Sequence, residues 1–229
     1  STARWLLSLS PCGSWVAPGI QPNWLMAKIE SLFPTKIYRT ALTGAKARRL
    51  NDDLLTACRS IAKDDRAGQD WCRANAYAGY TSYSSLNDLT VRAPQFADLE
   101  KHLDAHVAGF ARELHFDLGR KKLKLDSIWI NILKPGGVHT AHIHPHSVVS
   151  GTYYVAVPKG SSALKLEDPR LGLMMAAPAK TGKAPRDAQS FVYLDPEPGS
   201  LVLFESWLRH EVPANQARED RISISFNYA

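Results

Sequence analysis

The chain has 229 residues, 45% of them hydrophobic and 22% charged, with a formal net charge of +6. This is ordinary globular composition, long enough for one domain with a substantial core. The basic bias is mild and gathers at Lys36–Arg49 and Arg120–Lys124 without interleaved aromatics, so nucleic acid is not expected as a partner, and no apolar run approaches the ~18 residues of a membrane span.

The three cysteines, Cys12, Cys58 and Cys72, are odd in number and form no CxxC pair. A disulfide framework is therefore not expected, and a reducing, cytoplasmic compartment is the default. "MAKIESLFPTKIY" from Met26 reads like a natural beginning, which makes residues 1–25 a candidate N-terminal extension and residues 26–229 a single domain.

Two helices are expected before residue 120. Leu50, Leu54, Leu55, Cys58 and Ile61 have helical spacing. So do Phe96, Leu99, Leu103, Val107, Phe110 and Leu114, a pattern expected to stop near Gly119. His102 and His106 lie four apart on that helix and are read as flanking its apolar stripe. His115 falls at its end.

After Gly119 the period changes. "KLKLDSIWINIL" reads as a strand, "KPGG" at Lys134–Gly137 turns the chain, and "VVSGTYYVAVP" is a second strand stopped by Pro158. "ALKLE" is a third. "SFVYL" and "SLVLF" flank the turn "DPEPG" as a hairpin-like pair, and "RISISFNY" is the sixth. Leu171–Gln189 reads as an irregular loop. Helices at 26–119 followed by strands at 120–229 predict an α+β fold. The natural candidate is an antiparallel jelly roll with helices packed on its outside.

The residues that carry chemistry are histidines. In "HIHPHSVVSGTYYV", alternate positions of an extended segment point the same way, so either His142 with His144 or His144 with His146 can face one point. Neutral imidazoles suit Zn, Fe, Cu or Ni. A remote third ligand is then needed, and His210 in "WLRHEVPAN" is the candidate. In the last strand Ile222, Ile224 and Phe226 form one face, while Arg221, Ser223, Ser225 and Asn227 form the other. That polar face can line an internal pocket in which Arg221 grips a carboxylate.

The pieces "INILKPGG", "HIHPHSVVSGTYYV", "LKLEDPR", "GSLVLFESWLRHEVPAN" and "RISISFN" together resemble the 2-oxoglutarate- and Fe(II)-dependent dioxygenases. The likeness is to a branch of bacterial and phage proteins with a His-x-His-Pro…Ser-Gly-x-Tyr-Tyr motif and unassigned substrates. It is strong after residue 120 and weak before it. The resemblance implies a double-stranded β-helix of cupin type. It also implies Fe(II), 2-oxoglutarate as co-substrate, succinate and CO2 as co-products, and a hydroxylated substrate. It implies His142, His144 and His210 as metal ligands. For 2-oxoglutarate it implies Arg221 on the far carboxylate and Tyr154 as hydroxyl donor, with Asn131 and Ser223 as further contacts.

One departure matters. The second ligand of that superfamily is usually a carboxylate, and His144 stands in its place, so Zn, Ni or Cu would suit the site as well as iron. Asp168 in "LEDPR" is the candidate carboxylate that would complete the set. His139 is expected on the rim, His146 against substrate or capping a turn, and Trp129 and Trp207 in the core or the pocket wall. The second functional reading is a three-histidine, cupin-like metal protein that does not use 2-oxoglutarate. The third is a zinc hydrolase with Glu211 as its base. The substrate, a small molecule or a protein, is not legible. The loop Leu171–Gln189 and "YAGYTSYSSL" are expected to shape its pocket. Oligomeric state is open, with a homodimer as the candidate.

Overall fold

The structure is a computed structural model that describes residues 27–229. The expectation about residues 1–25 lies outside the described residues. Thr35–Ala229 form one compact unit, and everything below belongs to it.

Helices cover the first half of this unit. α1 (Gly44–Asp64) buries Leu54 and Cys58 completely, and α4 (Pro94–Glu113) buries Phe96, Leu99, Leu103, Val107 and Phe110. Each such side chain contributes roughly 1.5–3 kcal/mol relative to an exposed one. α4 begins with Pro94 at its first turn, where the missing N–H costs nothing. It ends before the expected stop at Gly119. His115 takes the left-handed conformation (φ 57°) that glycine usually supplies, and the His115 and Phe116 amides donate to Arg112 and Ala111. A histidine at that cap hides the stop from a search for glycine. Two short helices lie between, α2 (Arg66–Ala74) and α3 (Leu89–Arg92), neither of which the apolar spacing showed.

Ten strands form two antiparallel sheets. β1 (Tyr38–Ala41) and β2 (Gly79–Thr81) come from the helical half. They are followed by β3 (Leu125–Leu133), β4 (His139–His142), β5 (Val149–Ala156), β6 (Leu164–Glu167), β7 (Phe191–Leu194), β8 (Ser200–Glu205), β9 (His210–Val212) and β10 (Arg221–Tyr228). The larger sheet has the order β1-β8-β5-β10-β3-β2 and the smaller β4-β9-β6-β7. All six expected strands are present. The pairing of "SFVYL" with "SLVLF" is not: β7 pairs with β6 and β8 pairs with β5 and β1. The segment "DPEPG" therefore carries the chain between layers. A two-layer roll is closed by strands that change sheets, and the local sequence cannot show which partner wins.

The large sheet is buried on both faces. One face of β10 and β3, with Ile222, Ile224, Phe226, Ile128 and Ile130, packs on α1 and α4 in the main core. A second core between the sheets holds Tyr154, Leu164, Leu166, Val202, Phe204 and Leu208. The strict alternation along β10 therefore turns Arg221, Ser223, Ser225 and Asn227 to the inside of the roll. Gly151, in the middle of β5, leaves room for the packing. A Cβ there would lie 2.6 Å from the Phe226 ring and from the Val202 carbonyl.

Candidate metal centre

Two adjacent strands of the small sheet bring three histidines together. β4 ends at His142 and β9 begins at His210, and the antiparallel register sets these two directly opposite one another. His144 follows two residues later, past the strand end, where its amide donates to Ser206 at the end of β8. One ring nitrogen from each of His142, His144 and His210 lies within 4.8 Å of the others. The Nε2 atoms of His142 and His144 are 3.2 Å apart. Two imidazole nitrogens about 2.1 Å from one ion, at roughly right angles, would stand about 3 Å apart.

Each ring is held by its other nitrogen. Nδ1 of His142 lies 2.7 Å from the Thr140 carbonyl, that of His210 2.8 Å from the Leu208 carbonyl, and that of His144 2.6 Å from Asn227 Oδ1. A carbonyl accepts only from N–H, so Nδ1 of His142 and of His210 carries the proton and Nε2 presents its lone pair to the common point. Burial also keeps the rings neutral. It pushes His210 down to about 3 and His144 to about 4, and lowers His142 as well. Neutral imidazoles with free Nε2 are the form that binds a cation.

No carboxylate belongs to this group among the described residues. Asp168 is committed elsewhere: both its oxygens accept from the Arg170 guanidinium, at 2.9–3.0 Å. Glu211 is paired with Lys165 at 2.7 Å. His146 is exposed, with φ 69°, and falls outside the group. His106 contacts the Tyr38 hydroxyl at 2.9 Å, and His115 forms the helix cap. Trp207 is 46% exposed, and no residue of Leu171–Gln189 lines the site, contrary to the expectation for that loop.

Beneath the histidines lies a cavity walled by β10, β3 and β5. Asn131, Thr152, Ser223, Ser225, Trp129 and Arg221 line it. Arg221 is 3% exposed, with Nη1 donating to Ser223 Oγ at 3.3 Å and the guanidinium 5.0 Å from the centre of the Tyr154 ring. Three buried polar atoms here have no partner within the protein: Arg221 Nε, the Tyr154 hydroxyl and the Tyr77 hydroxyl. A buried donor left unpaired costs about 1–3 kcal/mol, more when charged. Two unpaired hydroxyls beside a guanidinium with a free Nε suit an anion with several acceptor oxygens. Asn131 is less free. Its amide oxygen accepts from Thr81, and its amide nitrogen donates to Ser225.

Two contributors escaped the sequence reading of the ligand set. Asn227 holds His144 and was visible only as one member of the polar face of β10. Tyr77, in the turn between α2 and β2, opens the stretch "YAGYTSYSSL" that was expected to shape the pocket and does line it, but nothing local distinguishes it there from the other tyrosines. His139 is half-buried and lines both this cavity and the cleft that opens over it. Its ring stacks on His142 at 4.8 Å, and burial pushes it down to about 3.

Residues 127–227, which carry every one of these groups except Tyr77 and Thr81, match a family model described as "Putative 2OG-Fe(II) oxygenase". No curated protein matches the chain. Among solved structures it is similar to the epimerase SnoN in complex with Fe3+, alpha ketoglutarate and nogalamycin RO, at 14% identity and TM-score 0.59 over 85% of this chain and 79% of that one. It is similar to a Pseudomonas putida prolyl-4-hydroxylase at 14% identity and TM-score 0.53, over 85% and 92%. It is also similar to HygX from Streptomyces hygroscopicus with nickel and 2-oxoglutarate bound, at 13% identity and TM-score 0.53, over 86% and 82%. At such identities these likenesses speak for the fold, a double-stranded β-helix.

Proposed function

From the match of residues 127–227 to the "Putative 2OG-Fe(II) oxygenase" model we propose that this chain is an oxygenase of that kind, in which His142, His144 and His210 hold the iron and Arg221 holds 2-oxoglutarate. The observation that carries the reading is the shared cavity. The three histidines, Arg221 and Tyr77 all line it, Arg221 Nε and the Tyr77 hydroxyl lack partners, and the unpaired Tyr154 hydroxyl belongs to the ring beside the guanidinium.

The residues divide the work by their chemistry. The three histidines offer one face of ligands and leave the other side of the ion open to small molecules. Arg221 presents a fork of N–H donors to the distal carboxylate, and the hydroxyls of Tyr154 and Tyr77 add two more donors. Ser223 steadies the guanidinium, and Asn131 braces the wall through Thr81 and Ser225. Asn227 keeps the His144 ring turned toward the ion. Trp129 and Phe204 close the sides with apolar surface and exclude water. When bound, iron and 2-oxoglutarate supply the oxidation, in which 2-oxoglutarate goes to succinate and CO2 and one oxygen atom of O2 enters a substrate C–H bond. Thr35–Ala229 act as one domain in this reading, and the substrate is a small molecule.

Anaerobic titration of the Fe(II)-loaded protein with 2-oxoglutarate tests the proposal. A weak visible charge-transfer band is expected to grow to saturation. A protein shown to contain iron at these histidines, yet giving no band, would overturn it.

The all-histidine ligand set favours one competing reading, a metal protein that does not use 2-oxoglutarate. Three neutral ligands leave the dication uncompensated by the protein, and Zn or Ni accepts such a set readily. That reading leaves the buried Arg221, whose Nε has no partner within the protein, without a purpose.

A further inference from the structure

A second, wider cleft of about 650 Å³ opens over His142 and His144. Its walls are Trp71 on α2, Tyr77 beyond it, Tyr83, Trp129 on β3, and the Val138–Pro145 segment. The rings run in contact down toward the metal centre. Tyr83 meets Trp129 edge-on at 5.3 Å, Trp129 lies 5.7 Å from His144, and Tyr77 meets His139 edge-on at 5.9 Å. At the rim Tyr83 is 60% exposed, Val138 47% and Ile143 45%. These large apolar side chains surround one opening.

The composition of the wall is more informative than its size. No Asp, Glu, Lys or Arg lines the cleft among the described residues, although such residues make up 22% of the chain. The polar groups present are neutral: the amides of Asn75 and Asn227, the hydroxyls of Thr81 and Thr140, and imidazoles. The volume lies within the range of small-molecule sites. We infer that the cleft binds an uncharged small molecule through a flat ring face and sets it over the metal centre. The inference rests on the oxygenase reading for the purpose of the cleft, but not for its chemistry. A charged ligand would lose hydration on entering and meet no countercharge in this wall. A neutral ring would stack on Trp71 or Tyr83 and find amide and hydroxyl partners for a few polar substituents.

One scaffold in three charge states tests this. The full chain, free of metal and of 2-oxoglutarate, is titrated with 2-naphthamide, 2-naphthoate and 2-naphthylmethylammonium, and binding is read by ligand-observed NMR. Any naphthoate that 2-oxoglutarate displaces sits at Arg221, so its affinity for the cleft is read with 2-oxoglutarate present. The amide is expected to bind, with both charged forms weaker by roughly tenfold or more. Trp71→Ala and Tyr83→Ala are each expected to weaken the amide by roughly three- to tenfold, and Trp207→Ala, away from the cleft, to leave it unchanged. A charged form binding as tightly as the amide overturns the proposal, as does amide affinity indifferent to Trp71→Ala and Tyr83→Ala, or the absence of amide binding. The iron titration is read separately. A missing band with selective amide binding removes the oxygenase reading and leaves the neutral ring site standing.

Discussion

Replacing Arg221 by methionine separates the two readings of the site by sign as well as size. The side chain is 3% exposed, its Nε is unpartnered, and its one hydrogen bond within the protein is to Ser223. Methionine keeps the apolar stem against Tyr154 and removes the charge. In the Zn(II)-loaded protein, 2-oxoglutarate at a hundred times its dissociation constant should add about 2.7 kcal/mol to wild-type stability. For a domain of this size that raises Tm by about 5–11 °C. Loss of a buried, hydrogen-bonded charge partner costs on the order of 3 kcal/mol, which weakens binding about a hundredfold. The same concentration of 2-oxoglutarate then adds only about 0.4 kcal/mol, a shift of about 1 °C. Without 2-oxoglutarate the variant should be at least as stable as wild type, because an uncompensated buried charge has been removed. Scanning fluorimetry with and without 2-oxoglutarate measures all four values. Equal shifts in both proteins would refute the assignment of Arg221.

Asn227→Leu removes the acceptor that orients His144. Metal affinity, measured against a chelating dye, should fall by roughly 10–100-fold while Arg221 and its cavity remain. His139 is half-buried, and desolvation pushes it down to about 3 in the fold, against about 6.5 when unfolded. Between pH 6.5 and 4 the unfolded chain therefore binds more protons than the native one, and the metal-free protein loses stability as pH falls. His139→Phe should flatten this dependence by up to about 1.4 kcal/mol per pH unit; parallel urea-denaturation series at pH 7 and pH 5 for the two proteins would contradict it. Gly151→Ala places a Cβ 2.6 Å from the Phe226 ring and the Val202 carbonyl. It should destabilise the domain by about 1–3 kcal/mol, seen as a lower urea midpoint, and a midpoint at or above wild type would show that β5 can shift to make room.

Much of the core was legible because its signals are local. The spacing Phe96–Leu99–Leu103 and the alternation of Arg221, Ser223, Ser225 and Asn227 against Ile222, Ile224 and Phe226 follow from the geometry of one helix and one strand. So did the HxH pair, whose parity needs only an extended backbone. His210 was reachable as the one histidine outside the cluster and the helix, although its distance from His144 was not. The cap at His115 was missed, because a histidine rarely stands in for glycine there. β1, β2, β4 and β9 were missed too, being three or four residues long and strands only because neighbouring strands offer them an edge.

The amino-acid sequence by itself determined the α+β class, the inward face of β10 and the residue types of the proposed metal set, since each depends on periodicity or on donor chemistry within a short segment. Only the tertiary structure decided the rest. It paired β4 with β9 so that His142 faces His210, sent β7 and β8 to different sheets, tied Asp168 to Arg170, and brought Tyr77 and Trp71 to the site. These choices come from the competition of many segments for one buried layer, and no local pattern records which contacts win.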